Sequence, residues 1–445
     1  MFAWFKTGPD KAPLQQTPGE MIPRFKRLQW GIIINLIIGY SFFYTTRLSL
    51  SIAKKPLIDE GILTKEQLGL MGSALFFAYA IGKFTNGFLA DHANIRKFMS
   101  VGLLGSAMIN ISFGFIDSAF LFIALWAVNG WFQSMGSAPS CVSIFQWFSL
   151  KHRGTAYSVW AGSHNIGEGI TFVISSLIVS YLGWRWGFLA PGLLSIVVVF
   201  FMFFFLKDRP QTLGYPDPSV LFGERAVSPK SKNTWSAQLE VLKSPVVWVI
   251  ALSCAGMYVS RYAINSWAIL YLQEVKKYSL EEAGFSMGVY PVAGLVGAIL
   301  AGGISDRFFN SNRPIPTTFY GLCNVGGMAL LFWGPGHRVS DAIALGIFGF
   351  GIGGLIVFLA GLMAADIMSK RAVGAVKGFI GLFAYIGASA QEYISSVLIQ
   401  TETLENGKKI YDFSAAAWFW LGSGVLSMLL VFVVWAMIGN KEVED

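Results

Sequence analysis

The sequence predicts an all-α polytopic membrane protein with twelve transmembrane helices arranged as two six-helix halves. Three observations carry this expectation. First, of 445 residues 54% are hydrophobic and only 13% charged, whereas a soluble domain has about a quarter charged; mean hydropathy is +0.56. Second, twelve apolar runs are long enough to cross a bilayer as helices. Third, landmarks recur at one offset: Arg47 and Arg261 lie 214 residues apart, Asp91 and Asp306 215, and Arg153 and Arg371 218. A parallel repeat of six helices explains that spacing, and the 49 glycines suit close helix packing in lipid.

In order along the chain, residues 1–28 are polar and proline-bearing and carry no cleavable signal peptide, so the first spanning helix itself is expected to direct insertion. The first half, 29–206, holds apolar runs at 29–50, 67–90, 98–116, 119–148, 154–181 and 185–206. Residues 207–245 are polar and contain Pro210, Pro216, Pro218 and Pro229, the composition of a linker. The second half, 246–438, holds runs at 246–272, 282–304, 315–334, 340–368, 373–399 and 414–438, and 439–445 form a short tail. With both termini cytoplasmic, 20 of the 33 Lys and Arg residues fall on the inner side, 9 on the outer, and Arg47, Lys83, Arg261 and Lys377 in or at the edge of spans. That bias satisfies the positive-inside rule. It also accounts for the net charge of +8, so no nucleic-acid partner is expected.

The chain has no P-loop, no cluster with zinc-ligand spacing and no nucleophile elbow, so neither an enzyme nor an ATP-driven pump is expected. No cofactor or metal is implied. Cys141, Cys254 and Cys323 lie in apolar runs without paired spacing and read as packing residues.

The informative residues are the polar ones inside apolar runs. Arg261 falls near the middle of 246–272, where an arginine costs at least about 2.5–3.5 kcal/mol and by default marks a function. Tyr258, Arg261 and Asn265 share its helix face (i, i+3, i+7). Tyr40, Tyr44 and Arg47 share a face of the first span, and Tyr79 and Lys83 one of the second. His164, with Asn165 beside it, lies about ten residues into the fifth span with Glu168 at i+4. Glu392 is a second intramembrane acid, and Asp366 lies near an inner helix end beside Lys370 and Arg371.

The segment Gly87 to Lys97, echoed by Gly302-Gly303-Ile304-Ser305-Asp306-Arg307, resembles the loop signature of the major facilitator superfamily. A closer match runs over almost the whole chain. Tyr40 to Arg47, Ala78 to Phe84, Ser163-His164-Asn165-Ile166-Gly167, Tyr258 to Tyr262, Gly381 to Gly387 and Asp208 to Gly214 resemble the organophosphate:phosphate antiporter family, which includes glycerol-3-phosphate and hexose-phosphate transporters. Asn129 to Gly136 looks closest to its hexose-phosphate branch. The resemblance implies that Arg47 and Arg261 bind a phosphoryl group and that Lys83, His164, Tyr44, Tyr79, Tyr258 and Tyr385 line the same cavity. It implies exchange of a phosphate ester, such as a hexose 6-phosphate, for inorganic phosphate across a bacterial-type inner membrane; a monomer is expected.

The chemistry agrees with that implication. A phosphate monoester carries about −1.5 to −2 charge at pH 7, and arginine offers a planar, permanently charged fork that binds phosphate oxygens in pairs. One arginine from each half lets the ligand bridge the halves. Two bare guanidiniums repel, which gives obligatory exchange a physical basis. Glycerol-phosphate carriers have glycine where Glu168 stands, and a carboxylate there needs a partner. Lys83, Arg47 or His164 is the candidate; alternatively Glu168 bonds a sugar hydroxyl, and Glu392 can serve either role. Asp91, Arg96, Asp306, Arg307 and Asp366 are expected to gate the inner face by charge pairing. The alternatives are a hexose-phosphate sensor acting on a signalling kinase, a proton-coupled symporter using Glu168 and Glu392, and a glycerol-3-phosphate antiporter.

Overall fold

The computed structural model describes residues 3–90, 92–224, 234–309, 313–363, 367, 373–403 and 409–439. The chain is helical almost throughout. The first half comprises α1 (Pro18–Asp59), α2 (Lys65–Ala90), α3 (Ile95–Ser112), α4 (Ala119–Trp147), α5 (Lys151–Leu182) and α6 (Trp184–Phe205). The second comprises α7 (Pro245–Glu274), α8 (Leu280–Phe308), α9 (Pro314–Trp333), α10 (Arg338–Leu362), α11 (Val373–Leu398) and α12 (Ser414–Gly439). Among the described residues ten of these are long and apolar enough to cross a membrane. The other two, α3 and α11, occupy the expected places but carry Arg96, Lys97 and Asn110, and Lys377, Gln391 and Glu392, which lower their hydropathy.

The first span is longer than its apolar run. Pro18 begins α1, with Glu20 Oε2 accepting the Thr17 N–H at 3.1 Å, and the helix continues to Asp59 rather than ending near 50. Ser51, Ile52, Ala53 and Lys54 are all buried there. Polarity therefore marks contact with other helices, not exit into water. Within 207–245 the described residues form the helix Thr234–Lys243 and short turns at Pro210–Leu213 and Pro218–Leu221. The N-terminal segment lies along it, with Lys11 N–H donating to Gln211 O and Leu14 N–H to Gly214 O, both at 3.0 Å. Between α11 and α12 an antiparallel hairpin, β1 (Gln400–Thr403) with β2 (Lys409–Asp412), pairs Thr401 with Tyr411.

The halves meet where α2 packs on α11, α5 on α8 and α1 on α7. Missing side chains set the depth of these contacts. A Cβ at Gly72 of α2 falls 2.8 Å from the Glu392 carboxyl carbon of α11, and one at Gly284 of α8 falls onto the Ser176 hydroxyl of α5. Among the described residues, hydrogen bonds between the halves run from the helix middles to the end remote from 207–245. Lys65 Nζ donates to Ser396 O (3.0 Å), Ser73 and Ser389 hydroxyls pair (3.0 Å), Ser180 Oγ donates to Glu281 (2.5 Å), and Lys55 pairs with Glu274.

Candidate functional site

The two buried arginines face the junction of the halves from opposite sides. Arg47, 3% exposed on α1, donates through Nε to Gln133 Oε1 of α4 at 3.3 Å. Gln133 is held in turn by Thr46 Oγ1 (2.9 Å) and Ser106 Oγ (3.3 Å). The guanidinium lies over the rings of Tyr44 and Tyr79, 4.6 and 4.7 Å from their centroids. Its two terminal nitrogens are buried and have no hydrogen-bond partner among the described residues. The guanidinium is thus oriented through Nε, with its terminal nitrogens unengaged among the described residues.

Arg261, 2% exposed on α7, is engaged. Its Nη2 pairs with Glu168 Oε1 at 2.7 Å, and its Nε donates to the Tyr290 hydroxyl at 3.4 Å. Asn265, one helical turn on, donates to the same Glu168 oxygen at 3.0 Å, and Glu168 Oε2 has no described partner. Glu168 is fully buried. Its partner is therefore Arg261 of the other half, not Lys83, Arg47 or His164, the candidates on its own side. Helical spacing reports faces of one helix and says nothing of what the opposite half supplies.

Aromatic rings connect the arginines. Arg47 lies on Tyr79, Tyr79 on Tyr385 (4.4 Å), Tyr385 near Tyr262 (6.2 Å), and Tyr262 under Arg261 (5.3 Å). Tyr258 packs on Tyr385 (5.4 Å), and Tyr40 on Tyr44 (5.5 Å) and Trp160 (4.9 Å). Lys83 sits over the Tyr385 ring at 5.0 Å. His164 faces Tyr44 at 5.8 Å between ring centres, and its Nδ1 lies 2.5 Å from Ala161 O. A carbonyl only accepts, so Nδ1 carries the proton. Asn165 is buried against Gly294 of α8, with its amide nitrogen unpartnered among the described residues. Just beyond Glu168, α5 makes a π-helical turn over Thr171–Ser175, a widening frequent at functional sites.

Glu392 is held by a different cation. Lys54 of α1, fully buried, pairs with it at 3.3 Å, donates to Ser266 Oγ at 2.6 Å, and sits over the Trp267 ring at 3.3 Å. Glu392 shares with Arg47 and Asn265 the lining of a cavity of about 20 Å³, room for about one water. Lys54 lies beyond the apolar run 29–50, which places it outside the first span by hydropathy alone; its position seven residues past Arg47, on the same helix face, is the available signal. Gln133, Tyr262 and Tyr290 are further contributors that sequence reasoning left unassigned.

Of the residues expected to gate the inner face, only the basic side chains are described. Arg96 lies over Phe203 of its own half at 5.1 Å, and Arg307 is exposed beside Phe308. Asp91 and Asp366 and the side chain of Asp306 lie outside the described residues.

A buried site walled by tyrosines, with one arginine from each of two repeated six-helix bundles, can be compared with known proteins. The family model of the Major Facilitator Superfamily matches residues 36–391. The membrane sensor protein UhpC of Salmonella typhimurium is 34% identical over 86% of this chain and 88% of its own. A probable hexose phosphate transport protein of Chlamydia pneumoniae is 32% identical over 88% and 90%. A bacterial homologue of the human lysosomal transporter Spinster, solved in an inward-facing and unoccupied conformation, superposes with a TM-score of 0.71 at 16% identity, covering 92% of this chain and 95% of its own. The chain is a multi-pass membrane protein of the major facilitator superfamily and belongs, within it, to the organophosphate:phosphate antiporter family.

Proposed function

We propose that this chain is a secondary transporter exchanging a sugar phosphate, a hexose 6-phosphate foremost, for inorganic phosphate across a bacterial-type inner membrane, with both termini cytoplasmic. One observation carries the reading: a buried arginine, Arg47, presents two unpartnered terminal nitrogens toward the junction with the half that holds Arg261. The likeness to a hexose-phosphate transport protein supports the choice of ester.

In this mechanism the phosphoryl oxygens land on the Arg47 fork, already aimed by Gln133. Arg261 closes on the same group from the other half, and Lys83 adds a third cation. The three cations and Glu168 sum to two positive charges, which balances a ligand of about −2. Tyr44, Tyr79, Tyr258 and Tyr385 donate hydroxyls around it. His164, Asn165, Asn265 and Glu168 orient the organic part. A ligand held by both halves draws them together, and the halves rock about it to present the site to either side.

The test is counterflow of labelled phosphate in proteoliposomes against a panel of internal esters, with Arg47→Lys and Arg261→Lys. Lysine keeps the charge but loses the fork. A charged hydrogen bond contributes about 1.5–3 kcal/mol, so each variant is expected to lose about ten- to a hundredfold in phosphate affinity. A well-folded lysine variant exchanging at wild-type levels refutes the clamp. The likeness to a membrane sensor supports a second reading, in which the same site binds hexose phosphate to signal; binding without flux selects it.

A further inference from the structure

We infer that Glu168 is a tethered counter-anion that lets the carrier recross without ligand, so that the chain catalyses net downhill movement of phosphate esters in addition to exchange. This rests on the transport reading above. Exchange is obligatory when the empty carrier cannot recross, and two bare arginines facing each other supply that barrier by repulsion. Here one is not bare. Glu168 belongs to α5 of the first half and Arg261 to α7 of the second. Their 2.7 Å pair, with Asn265 donating to the same oxygen at 3.0 Å, joins the halves through the donors that a phosphoryl oxygen would take.

The geometry suits a surrogate. Glu168 is the eighteenth of 32 residues in α5, and Arg261 the seventeenth of 30 in α7. Both therefore sit at mid-helix, where rocking of one half on the other displaces atoms least. Both are 0–2% exposed, so the attraction is little screened by water or salt. One carboxylate oxygen does all the bridging, while the second has no described partner. A bidentate phosphoryl group offers more acceptors than this single oxygen. Ligand therefore displaces Glu168 from Arg261, and Glu168 returns when ligand leaves. Glu392 does not compete for either arginine, because Lys54 holds it.

The experiment compares two fluxes in the same proteoliposomes: counterflow with phosphate on both sides, and net efflux of labelled phosphate or hexose 6-phosphate into buffer free of both. For the wild type, net efflux is expected well above protein-free vesicles. In Glu168→Gln the ratio of net efflux to counterflow is expected to fall by about tenfold or more, a loss of about 1.4 kcal/mol in favour of empty recrossing. Phosphate is expected to bind Glu168→Gln more tightly than wild type, since its competitor is gone. Glu168→Asp keeps the carboxylate and is expected to stay within about threefold of the wild-type ratio. Strict one-for-one exchange by the wild type overturns the inference while leaving the transport reading intact. So does an unchanged ratio in Glu168→Gln, or a collapse in Glu168→Asp equal to that in Gln. Absence of both fluxes from folded wild-type protein overturns the transport reading itself, and the inference with it.

Discussion

Removing Lys54 is the sharpest perturbation of the contact between the halves. Lys54 and Glu392 are 0% and 1% exposed, so Lys54→Met leaves a carboxylate buried and unneutralised. Breaking one side of such a pair costs about 3–5 kcal/mol. The Ser266 hydroxyl at 2.6 Å and the Trp267 ring at 3.3 Å lose their cation as well. The cost falls on the state in which this end is shut, because opening it hydrates the carboxylate. At 1.4 kcal/mol per factor of ten, the shut state loses about two to three and a half powers of ten in relative population. Lys54→Met/Glu392→Gln replaces the pair by groups that need no neutralisation and is expected to recover most of that loss. Spin labels at Glu66 and Val275, exposed near this end in opposite halves, report the population through their distance distribution, with Cys141, Cys254 and Cys323 replaced. The reasoning fails if Lys54→Met leaves that distribution unchanged, or if the double variant opens as far as the single one.

Gly72→Ala places a methyl 2.8 Å from the Glu392 carboxyl carbon; overpacking of this kind costs about 1–3 kcal/mol, and the same spin-label distance is expected to lengthen. Gln133→Leu removes the acceptor that aims Arg47; phosphate affinity is expected to fall about tenfold, one charged hydrogen bond, in calorimetric titration of folded protein. Asp208, outside the spans, accepts the Ile95 N–H at 2.9 Å at the start of α3, and burial raises its carboxyl above the ordinary aspartate value. A raised folded value means the folded state holds the proton more tightly, so stability falls as pH rises from the unfolded to the folded value. The stability of wild type relative to Asp208→Asn is therefore expected to fall with rising pH in the acid range and level off above it, in chemical unfolding monitored by tryptophan fluorescence.

Much of the fold was legible because lipid permits few solutions. Uninterrupted apolar runs mark helices, and Arg47 and Arg261 at matching positions mark both repeat and site. Tyr40, Tyr44 and Tyr258 follow from helical spacing on the same spans and Tyr79 from its spacing to Lys83, whereas Tyr385 is implied only by the family resemblance. What the sequence did not disclose are contacts between elements far apart in the chain. Lys54 read as a loop residue because the apolar run stops near 50, yet α1 continues to Asp59 against α7 and α11. Glu168 needed a partner, and three candidates on its own side were named, while Arg261 arrived from across the junction. Gln133 and Tyr290 touch the arginines from α4 and α8, and no spacing rule connects them.

The composition of the shut end has a consequence for reversibility. It is joined by hydroxyls, a backbone carbonyl and ion pairs: Lys54 with Glu392, Lys65 with Ser396, Ser73 with Ser389 and Ser180 with Glu281. An apolar seal loses about 25 cal/mol for every Å² it exposes on opening. A polar one exchanges its partners for water at modest net loss, since a neutral hydrogen bond is worth only about 0.5–1.5 kcal/mol over its hydrated form and one to a charged group about 1.5–3 kcal/mol. This end is thus a zipper of weak, replaceable teeth, suited to parting and rejoining once per cycle.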